Sequence, residues 1–325
     1  MKIVPVAHDG LTALLPLIAG SRSLPLAHVP GAAQEDLARL QQDTLAVKLA
    51  RGGAVGLGAF QDKSAAGLAV LDPLAWDSAL YGERMGRVAA LYAASGAEEE
   101  ALHAALLANL LREAVERGYR CADLHLHVSD LAAVHAACRL GFRLMTTHVI
   151  LGWDLRAPLP VAPNAPAELR DATEADVEGL MSVAAAAAPP YSRFLVDRQL
   201  PTERGRELFR QWAANSVRGY ADRVVLACMD GVAVGYITWR IHPSAPASLG
   251  VRLANLDLTG VLPRARRQRV LTTLIHHGLD WLRSRGIDYA EVHTHALNTG
   301  MQRAATSTGA RTLSARYCLH WHANT

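Results

Sequence analysis

The feature that most constrains this chain is an internal repeat with a fixed spacing of 168 residues. The first copy contains Arg117, Gly118, Ala122, His125, His127, Gly141, Arg143 and Trp153. The identical residues of the second copy are Arg285, Gly286, Ala290, His293, His295, Gly309, Arg311 and Trp321. Conservative pairs keep the same spacing, among them Asp123 with Glu291 and Asp130 with Asn298. A gapless match of this length indicates two copies of one structural unit.

Both copies predict the same order of elements. In the second copy, strands at 223–229 and 232–241 are joined by Asp230-Gly231, a strong hairpin signal, and a third strand at 253–262 leads directly into a helix. The periodicity then predicts a helix at 270–285, a strand at 289–296, a helix at 298–308 and a strand at 313–322. The sequence therefore predicts two α+β domains, each with a mixed, mostly antiparallel sheet flanked by helices.

A proline-rich stretch separates the two copies. Residues 157–168 have no helical or strand period and contain Pro158, Pro160, Pro163 and Pro166. The chain has 325 residues, which suits two domains of ordinary size. We therefore predict an N-terminal domain at 1–156, a linker at 157–168 and a C-terminal domain at 169–325.

Composition narrows the class of protein. Half of the residues are hydrophobic and 19% are charged, which argues against disorder, and no apolar run reaches the roughly 18 residues needed to span a membrane. Asp9 and Gly10 separate the basic start from the apolar run 11–19, so we interpret that run as a helix rather than a signal peptide. The four cysteines form no CxxC pair, which predicts a reduced, cytoplasmic location. A net charge of +3 is too small for a charge-dominated nucleic-acid binder.

Four arginines, Arg264, Arg266, Arg267 and Arg269, lie at the entrance and first turn of a predicted helix. Cations at a helix N-terminus oppose the macrodipole and repel one another. A bound anion would remove this conflict, because guanidinium groups suit phosphate oxygens and the N–H groups of a first helical turn can bind them. The turn therefore predicts a site for a phosphate-bearing ligand.

The repeat supplies an internal comparison for this turn. At the spacing of 168, Glu98, Glu99 and Glu100 stand at the positions of Arg266, Arg267 and Gln268. Acidic residues stabilise a first helical turn and would repel phosphates. We therefore predict that the first copy is a degenerate, structural partner that helps to wall the acceptor site.

Each copy also carries a His-x-His pair on a predicted strand, His125 with His127 and His293 with His295. Zinc would need further ligands, and no carboxylate or cysteine sits at a clear ligand spacing, so we predict no metal. His293 or His295 is instead a candidate general base, since an imidazole titrates near neutral pH. Asp257, on the strand before the basic turn, is an alternative polar group at the centre of the sheet.

A strand ending in Val261-Leu262-Pro263, followed by a basic turn that opens a helix, resembles the GNAT N-acetyltransferase superfamily. Other segments are similar to the dTDP-fucosamine acetyltransferase type: Tyr191-Ser192-Arg193-Phe194, Gly205-Arg206, Gln211-Trp212, Asn215-Ser216-Val217-Arg218-Gly219, Leu74-Ala75-Trp76-Asp77-Ser78 and Tyr81-Gly82. The resemblance covers most of the chain. It implies transfer of an acetyl group from acetyl-CoA to the primary amine of a small molecule, in that type a nucleotide-linked amino sugar.

The resemblance also implies roles for individual residues. Main-chain groups near Thr259 and Val261 would orient the donor, and Tyr191 and Arg193 resemble acceptor-side residues. The predicted phosphate-binding residues are Arg264, Arg266, Arg267, Gln268, Arg269, Val270 and Leu271, with Asn298 at the start of the following helix. The superfamily's loop reads Arg/Gln-x-x-Gly-x-Gly/Ala. Residues 266–271 occupy it here, and both glycines are replaced.

The superfamily often carries a tyrosine that protonates the departing thiolate. By count from Asn298, Ala305 sits at that position, so we predict that Tyr317 in the last strand replaces it. Together with Asp257 and His293, Tyr317 completes the predicted catalytic set.

The predicted function is direct attack of an amine on an acyl-CoA thioester, with no covalent acyl-enzyme and no metal. The alternative is an aminoacyl-tRNA-dependent transferase, or a catalytically inactive binding module on the same fold. An arginine cluster binds RNA phosphates as readily as CoA phosphates, which favours this alternative. Against it, no aromatic residues interleave with the arginines and no extended basic stripe follows them.

Overall fold

The computed structural model describes residues 1–21, 23–62, 64–162, 165–242 and 249–323. The chain divides into two compact units. The first contains Met1–Thr147 and Arg316–Thr325, and the second contains His148–Ala315.

The described residues up to Asp154 form six strands and five helices. The strands are β1 (Lys2–Pro5), β2 (Val55–Gln61), β3 (Ser64–Pro73), β4 (Arg84–Ala93), β5 (Tyr119–His127) and β6 (Arg143–Asp154). The helices are α1 (Leu15–Ala19), α2 (Gln34–Ala50), α3 (Ala75–Tyr81), α4 (Glu99–Glu116) and α5 (Leu131–Arg139), with a 3-10 turn at His8–Leu14.

The remainder repeats this plan. Its strands are β7 (Glu168–Asp171), β8 (Arg223–Met229), β9 (Val232–Ile241), β10 (Leu253–Val261), β11 (Tyr289–His295) and β12 (Arg311–His322). Its helices are α6 (Val177–Ala187), α7 (Arg193–Val196), α8 (Thr202–Asn215), α9 (Val270–Ser284) and α10 (Thr299–Ser307). Irregular turns of helix lie at Glu174–Asp176, Ser216–Tyr220 and Pro263–Ala265.

The two repeats exchange their last strands. Residues 148–154 of β6, which end the first repeat, pair antiparallel with β11 and belong to the second unit. Arg316–His322 of β12, which end the second repeat, pair antiparallel with β5 and belong to the first unit. The units therefore divide the chain after Thr147 and after Ala315, whereas the repeat spacing had placed the domains at 1–156 and 169–325.

The sheet of each unit is mostly antiparallel. In the first unit the order is β1-β2-β3-β4-β5-β12, and in the second it is β6-β11-β10-β9-β8-β7. The parallel pairs are β4 with β5 and β10 with β11. The predicted hairpin is confirmed, with left-handed main chain at both Asp230 and Gly231. This agreement confirms the predicted fold class.

Helices cover both faces of the sheet in the second unit. On one face, α9 and α10 pack over Leu256, Val292 and Trp239. On the other face, α6 and α8 pack over Tyr236 and Leu258. The C-terminal ends of β10 and β11 thus lie in a sheet that helices cover on both faces.

The stretch predicted as a linker contributes to the second unit. Leu159 packs against its core, and the carbonyl oxygen of Pro160 lies 2.7 Å from His276 Nε2. Pro163, part of the same prediction, lies outside the described residues. No helix in the described parts of the chain has both the length and the apolar character needed to cross a membrane.

Candidate functional site

The central opening of the second unit lies between β10 and β11. These strands pair in parallel only from Leu253 opposite Tyr289 to Leu256 opposite Val292. Beyond that point β10 continues beside β9 to Val261, and β11 continues beside β6 to His295. The two strands therefore keep their outer partners and separate from each other. We call the gap between residues 257–261 and 293–295 the wedge.

A bulge in β10 fixes which main-chain groups face the wedge. The register with β9 shifts between Leu256 and Leu258, and the Leu258 N–H donates to the Thr238 hydroxyl at 2.9 Å. Leu258 therefore directs its main-chain groups towards β9. Successive residues of a strand direct their N–H and C=O groups to opposite sides of the strand. The main-chain groups of Thr259 and Val261 consequently face the wedge.

The arginine turn lies at the end of β10, and all four of its arginine side chains are exposed. The main chain has a φ of 65° at Arg267 and 62° at Arg269. This left-handed region suits glycine and costs other residues about 1–2 kcal/mol. The last two residues of the predicted loop 266–271, Val270 and Leu271, form the start of α9.

The turn presents donors as well as charge. The first hydrogen bond along α9 runs from Thr273 N–H to Arg269 O at 3.0 Å. The N–H groups of Val270, Leu271 and Thr272 consequently have no partner inside the helix. Such groups, at the positive end of the helix dipole and beside guanidinium groups, are an arrangement that suits an anion.

Two side chains tie the turn to its surroundings. Arg266 Nε donates to the carbonyl oxygen of Val261 at 3.1 Å, which links the turn to the edge of the wedge. Gln268 Nε2 donates to the carbonyl oxygen of Arg264 at 3.0 Å. Of the predicted phosphate-binding side chains, Gln268 thus shapes the loop, while Val270 is buried beneath it.

The first unit carries an acidic counterpart. Helix α4 begins at Glu99, and both Glu99 and Glu100 lie in its first turn. Glu100 forms a 2.7 Å ion pair with Arg139. These carboxylates stabilise the helix N-terminus and oppose phosphate binding there. The contrast between the units supports the prediction that the donor site belongs to the second.

His293 is the first residue of β11 beyond its pairing with β10. Its Nε2 lies 2.9 Å from Glu291 Oε1, and the Glu291 side chain is only 3% exposed whereas that of His293 is 44% exposed. A carboxylate accepts hydrogen bonds, so Nε2 carries the proton and Nδ1 presents a lone pair. Glu291 therefore orients an accessible imidazole at the base of the wedge.

Asp257, the alternative polar group, is engaged in an ion pair. Its Oδ2 accepts from Arg240 Nε at 2.5 Å, and its side chain is 11% exposed. The guanidinium of Arg240 also lies over the ring of Tyr220, 5.2 Å from its centroid. This pairing opposes a role for Asp257 as a proton acceptor, because both of its carboxylate oxygens already accept hydrogen bonds from Arg240.

His295 lies among the predicted acceptor-side residues. Its ring packs edge-on against Tyr191 and His148, with centroid distances of 5.1 and 4.7 Å. Burial lowers the pKa of His295 to about 4, and the charge of Arg193 acts in the same direction. Burial raises the pKa of Tyr191, opposed by the charge of Arg266. The structure therefore brings Tyr191 and Arg193 together with a neutral imidazole near the arginine turn.

Asn298, predicted to contact the donor, caps helix α10. Its Oδ1 accepts from Met301 N–H at 3.2 Å, and its Nδ2 donates to Thr294 Oγ1 at 3.0 Å. Asp130 caps α5 in the same way, accepting from Ala133 N–H at 3.3 Å. Both copies thus use this position to begin a helix.

Tyr317, the predicted thiolate acid, lies in the first unit. Tyr317 pairs with Leu126 of β5 and packs against the core of the first unit, so it does not belong to the unit that carries the arginine turn. Ala305 is fully buried in the core of the second unit, which leaves no room for a tyrosine at this position. The structure therefore assigns no side chain to protonation of a leaving group.

Residues 187–309 match the model of the acetyltransferase (GNAT) family. This stretch is a GNAT domain. It spans the wedge, the arginine turn, His293 and Asn298, and ends at Gly309. No curated protein sequence matches the chain.

Solved structures with the same fold extend over both units. A GCN5-related N-acetyltransferase from Sphaerobacter thermophilus is 16% identical, with a TM-score of 0.63 over 99% of this chain and 95% of that one. A tandem GNAT protein from the clavulanic acid biosynthesis pathway is 17% identical, with a TM-score of 0.58 over 100% of this chain and 99% of that one. A GNAT-family acetyltransferase from Colwellia psychrerythraea is 12% identical, with a TM-score of 0.51 over 99% of this chain and 100% of that one. These likenesses show that both repeats have the GNAT fold.

Three residues of the site in the GNAT domain were not predicted from the sequence. Glu291 was matched with Asp123 but given no role, although its spacing of two from His293 places both on one strand face. His148 and Arg240 come from β6 and β9, and nothing local in the sequence marks them as neighbours of His295 and Asp257.

Proposed function

We propose that the second unit transfers an acyl group from acyl-CoA to a primary amine. The observation that carries this proposal is the left-handed arginine turn at the N-terminus of α9, which stands at the mouth of the wedge. The match of residues 187–309 to the GNAT family supports the same reaction class. Acetyl-CoA is the donor that the family implies.

Donor binding uses two adjacent surfaces. The N–H groups at the start of α9 and the exposed arginine side chains bind the phosphates. The main-chain groups of Thr259 and Val261 face the wedge and hydrogen-bond the amide-containing arm of the donor. A thioester held there has its carbonyl oxygen beside main-chain donors, which stabilise the oxyanion formed on attack.

The amine attacks the thioester directly. His293 Nδ1 removes the ammonium proton, and Glu291 holds the imidazole and stabilises its charged form. The carbon–sulfur bond then breaks, the nitrogen of the new amide releases its second proton to solvent, and the thiolate leaves without a protein acid. A thiolate is a tolerable leaving group near neutral pH, since the pKa of an ordinary thiol is about 8.5. Cys228, the one cysteine in the sequence between residues 148 and 315, is buried in the core, which argues against an acyl-enzyme.

The acceptor side is formed by Tyr191, Arg193 and His295. An aromatic ring, a cation and a neutral imidazole suit an acceptor that carries hydroxyl groups and negative charge. A nucleotide-linked amino sugar, the acceptor of the type that the sequence resembles, has this chemistry. We carry that acceptor class forward as the substrate to test first.

The alternative is binding of tRNA, or of acyl-CoA without turnover, by the same turn. Arginine side chains bind either kind of phosphate. A thermal-shift comparison of acetyl-CoA, CoA and total tRNA separates these ligands, because a ligand at about 100 times its Kd adds about 2.7 kcal/mol to stability. We expect stabilisation by acetyl-CoA and CoA, and none by tRNA.

A charge reversal at the turn tests the proposal directly. Arg266→Glu with Arg267→Glu should abolish the stabilisation by CoA and the acetylation of amines. The matched control is Glu98→Ala with Glu99→Ala at the repeat-equivalent positions, which should leave both unchanged. Equal losses in the two double variants would refute a donor site in the second unit. A mass-spectrometric search for acetylated products among amino sugars identifies the acceptor.

A further inference from the structure

Six side chains of metal-binding types share one face of the sheet in the first unit. Alternate residues of a strand point to the same face, and the strands concerned are β5 and β12. In the register of these strands, Cys318 lies opposite His125, His320 opposite Asp123 and His322 opposite Cys121. The helices α4 and α5 pack on the other face, over Leu124, Leu126 and Leu319.

The ligand atoms of four of these residues converge. Asp123 Oδ1 lies 3.0 Å from His125 Nε2, 3.7 Å from Cys318 Sγ and 3.9 Å from His320 Nε2. His125 Nε2 and Cys318 Sγ are 3.1 Å apart. The ligand atoms of Asp123, Cys318 and His320 all lie within 4.8 Å of one another. Around a tetrahedral zinc ion with bonds of about 2.0–2.3 Å, ligand atoms are about 3.3–3.8 Å apart. The separations of 3.0, 3.7 and 3.9 Å between Asp123 Oδ1 and the other three ligand atoms are close to this range.

The other carboxylate oxygen of Asp123, Oδ2, accepts hydrogen bonds from Arg87. Arg87 donates to Asp123 Oδ2 from Nε at 2.8 Å and from Nη2 at 2.6 Å. This bidentate pair fixes the carboxylate plane and leaves Oδ1 directed at His125, Cys318 and His320. Hydrogen bonds that orient a ligating carboxylate in this way are typical of metal sites.

The second unit shows that the sheet does not need these residues. At the repeat spacing, Glu291 and His293 of β11 correspond to Asp123 and His125, and they keep the same carboxylate–imidazole contact at 2.9 Å. The residues opposite them are Gly152 and Ile150, where the first unit has His320 and Cys318. The thiol and the second imidazole are therefore additions specific to the first unit.

We propose that Asp123 Oδ1, His125 Nε2, Cys318 Sγ and His320 Nε2 bind one divalent ion of the zinc class. A thiolate, two imidazoles and a carboxylate form a ligand set that zinc accepts in tetrahedral geometry. Cys318 loses its proton to solvent when the metal–sulfur bond forms, and both imidazoles bind as neutral ligands. The thiolate and the carboxylate together neutralise the charge of the ion.

The site is closed rather than catalytic in character. Asp123 and His320 are fully buried and Cys318 is 1% exposed, so four protein ligands complete the coordination shell. The ion would join β12 to β5, residues far apart in the chain. Bound metal should therefore raise the melting temperature of the protein, and a strong chelator should lower it.

Cobalt substitution in the full chain tests the proposal. The protein is stripped of metal, titrated with Co²⁺ and measured for metal content and absorption. We expect one ion per chain, intense visible bands of a tetrahedral ion and a thiolate-to-cobalt charge-transfer band. Cys318→Ser should abolish the charge-transfer band and weaken binding at least tenfold, while Cys138→Ser, an exposed cysteine of α5, should leave both unchanged.

Two further measurements keep the proposal open to refutation. X-ray absorption of the zinc-loaded wild-type protein needs no variant, and should show one sulfur at about 2.3 Å with three nitrogen or oxygen ligands at about 2.0–2.2 Å. Cys121→Ser should not alter the cobalt spectrum, although Cys121, His320 and His322 also cluster within 4.8 Å. Absence of bound metal, a shell without sulfur, or a spectrum that depends on Cys121 instead of Cys318 would overturn the assignment.

Discussion

Arg267 and Arg269 share a left-handed main chain, with φ angles of 65° and 62°, and only Gln268 separates them. Two such residues in sequence are unfavourable unless the loop has a use for the conformation. Here the conformation occurs at the N-terminus of α9, where the first N–H groups have no helical partner and both arginine side chains are exposed. The strain and the charge therefore point to one anionic ligand.

Glycine at both positions should separate the effect of backbone strain on stability from the effect of the two arginine side chains on CoA binding. Arg267→Gly with Arg269→Gly should raise the free energy of unfolding by about 1–2 kcal/mol per residue, because glycine adopts this conformation without strain. The same change should weaken CoA binding about tenfold or more, since hydrogen bonds to charged groups contribute about 1.5–3 kcal/mol each. Chemical denaturation and calorimetric titration with CoA measure the two effects. Asp230→Gly, a left-handed residue in the β8–β9 hairpin, is the control and should leave CoA affinity unchanged.

The His293–Glu291 pair should govern the chemical step. His293→Gln should lower kcat by about 10²–10⁴-fold with little change in donor affinity, the range of general-base effects. Glu291→Gln should lower kcat less and move the acidic limb of the pH–rate profile, because it changes the charge beside the imidazole that acts as the base. Tyr317→Phe serves as control: it alters a residue of the first unit and should leave kcat as it is. A kcat unaffected by His293→Gln would remove this residue from the mechanism.

His295 should make stability depend on pH. Its pKa is lowered from 6.5 to about 4 in the folded protein, so between these values the unfolded chain binds a proton that the folded chain does not. Stability attributable to His295 is therefore full above pH 6.5 and falls as the pH decreases toward 4, by at most about 3 kcal/mol. His295→Gln should flatten this part of the profile in urea denaturation. His127→Gln, its repeat counterpart, should not, and equal slopes in all three proteins would contradict the assignment.

Asn298 should act through helix capping. Asn298→Ala should reduce stability by about 1 kcal/mol, the usual effect of losing an N-cap, and Asp130→Ala should do the same in the first unit. Neither change should alter CoA affinity by more than about twofold. A large loss of affinity in Asn298→Ala alone would restore the role predicted from the sequence.

The strand exchange should set the boundaries of a stable fragment. A fragment of residues 166–325 lacks residues 148–154, which pair with the whole of β11 and bury Leu151 and Trp153. Full burial of a large apolar side chain contributes about 1.5–3 kcal/mol, so this fragment should melt well below a fragment of residues 148–315. Circular dichroism melts of both compare them directly. Equal melting temperatures would show that the exchanged strand adds little to the second unit.

Local sequence patterns predicted most elements of the second unit. The strands 223–229 and 232–241 were predicted to the residue, because Asp230-Gly231 marks the turn between two apolar runs. The arginine turn was found because its charges conflict with a helix N-terminus. The left-handed backbone of this turn was not predicted, because arginine residues rarely adopt a positive φ angle.

Pairing between distant segments could not be predicted. The repeat spacing is the same whether the last strand joins its own copy or the other, so Tyr317 was placed in the wrong unit. Cys318 and His320, which lie beside Asp123 and His125, were missed for the same reason. Cys318 and His125 are 193 residues apart, and ligand spacings are recognisable only within a short segment.

The strand exchange also fixes an order of events during synthesis. Ribosomes add about 5–20 residues per second, so the 193 residues from His125 to Cys318 take about 10–40 s to make. Through that interval the edge of β5 that will receive β12 has emerged without its partner, while the second unit, His148–Ala315, is completed. An unpaired strand edge is where nascent chains associate wrongly and where chaperones bind. The part of the protein that is translated first is thus the last to finish folding.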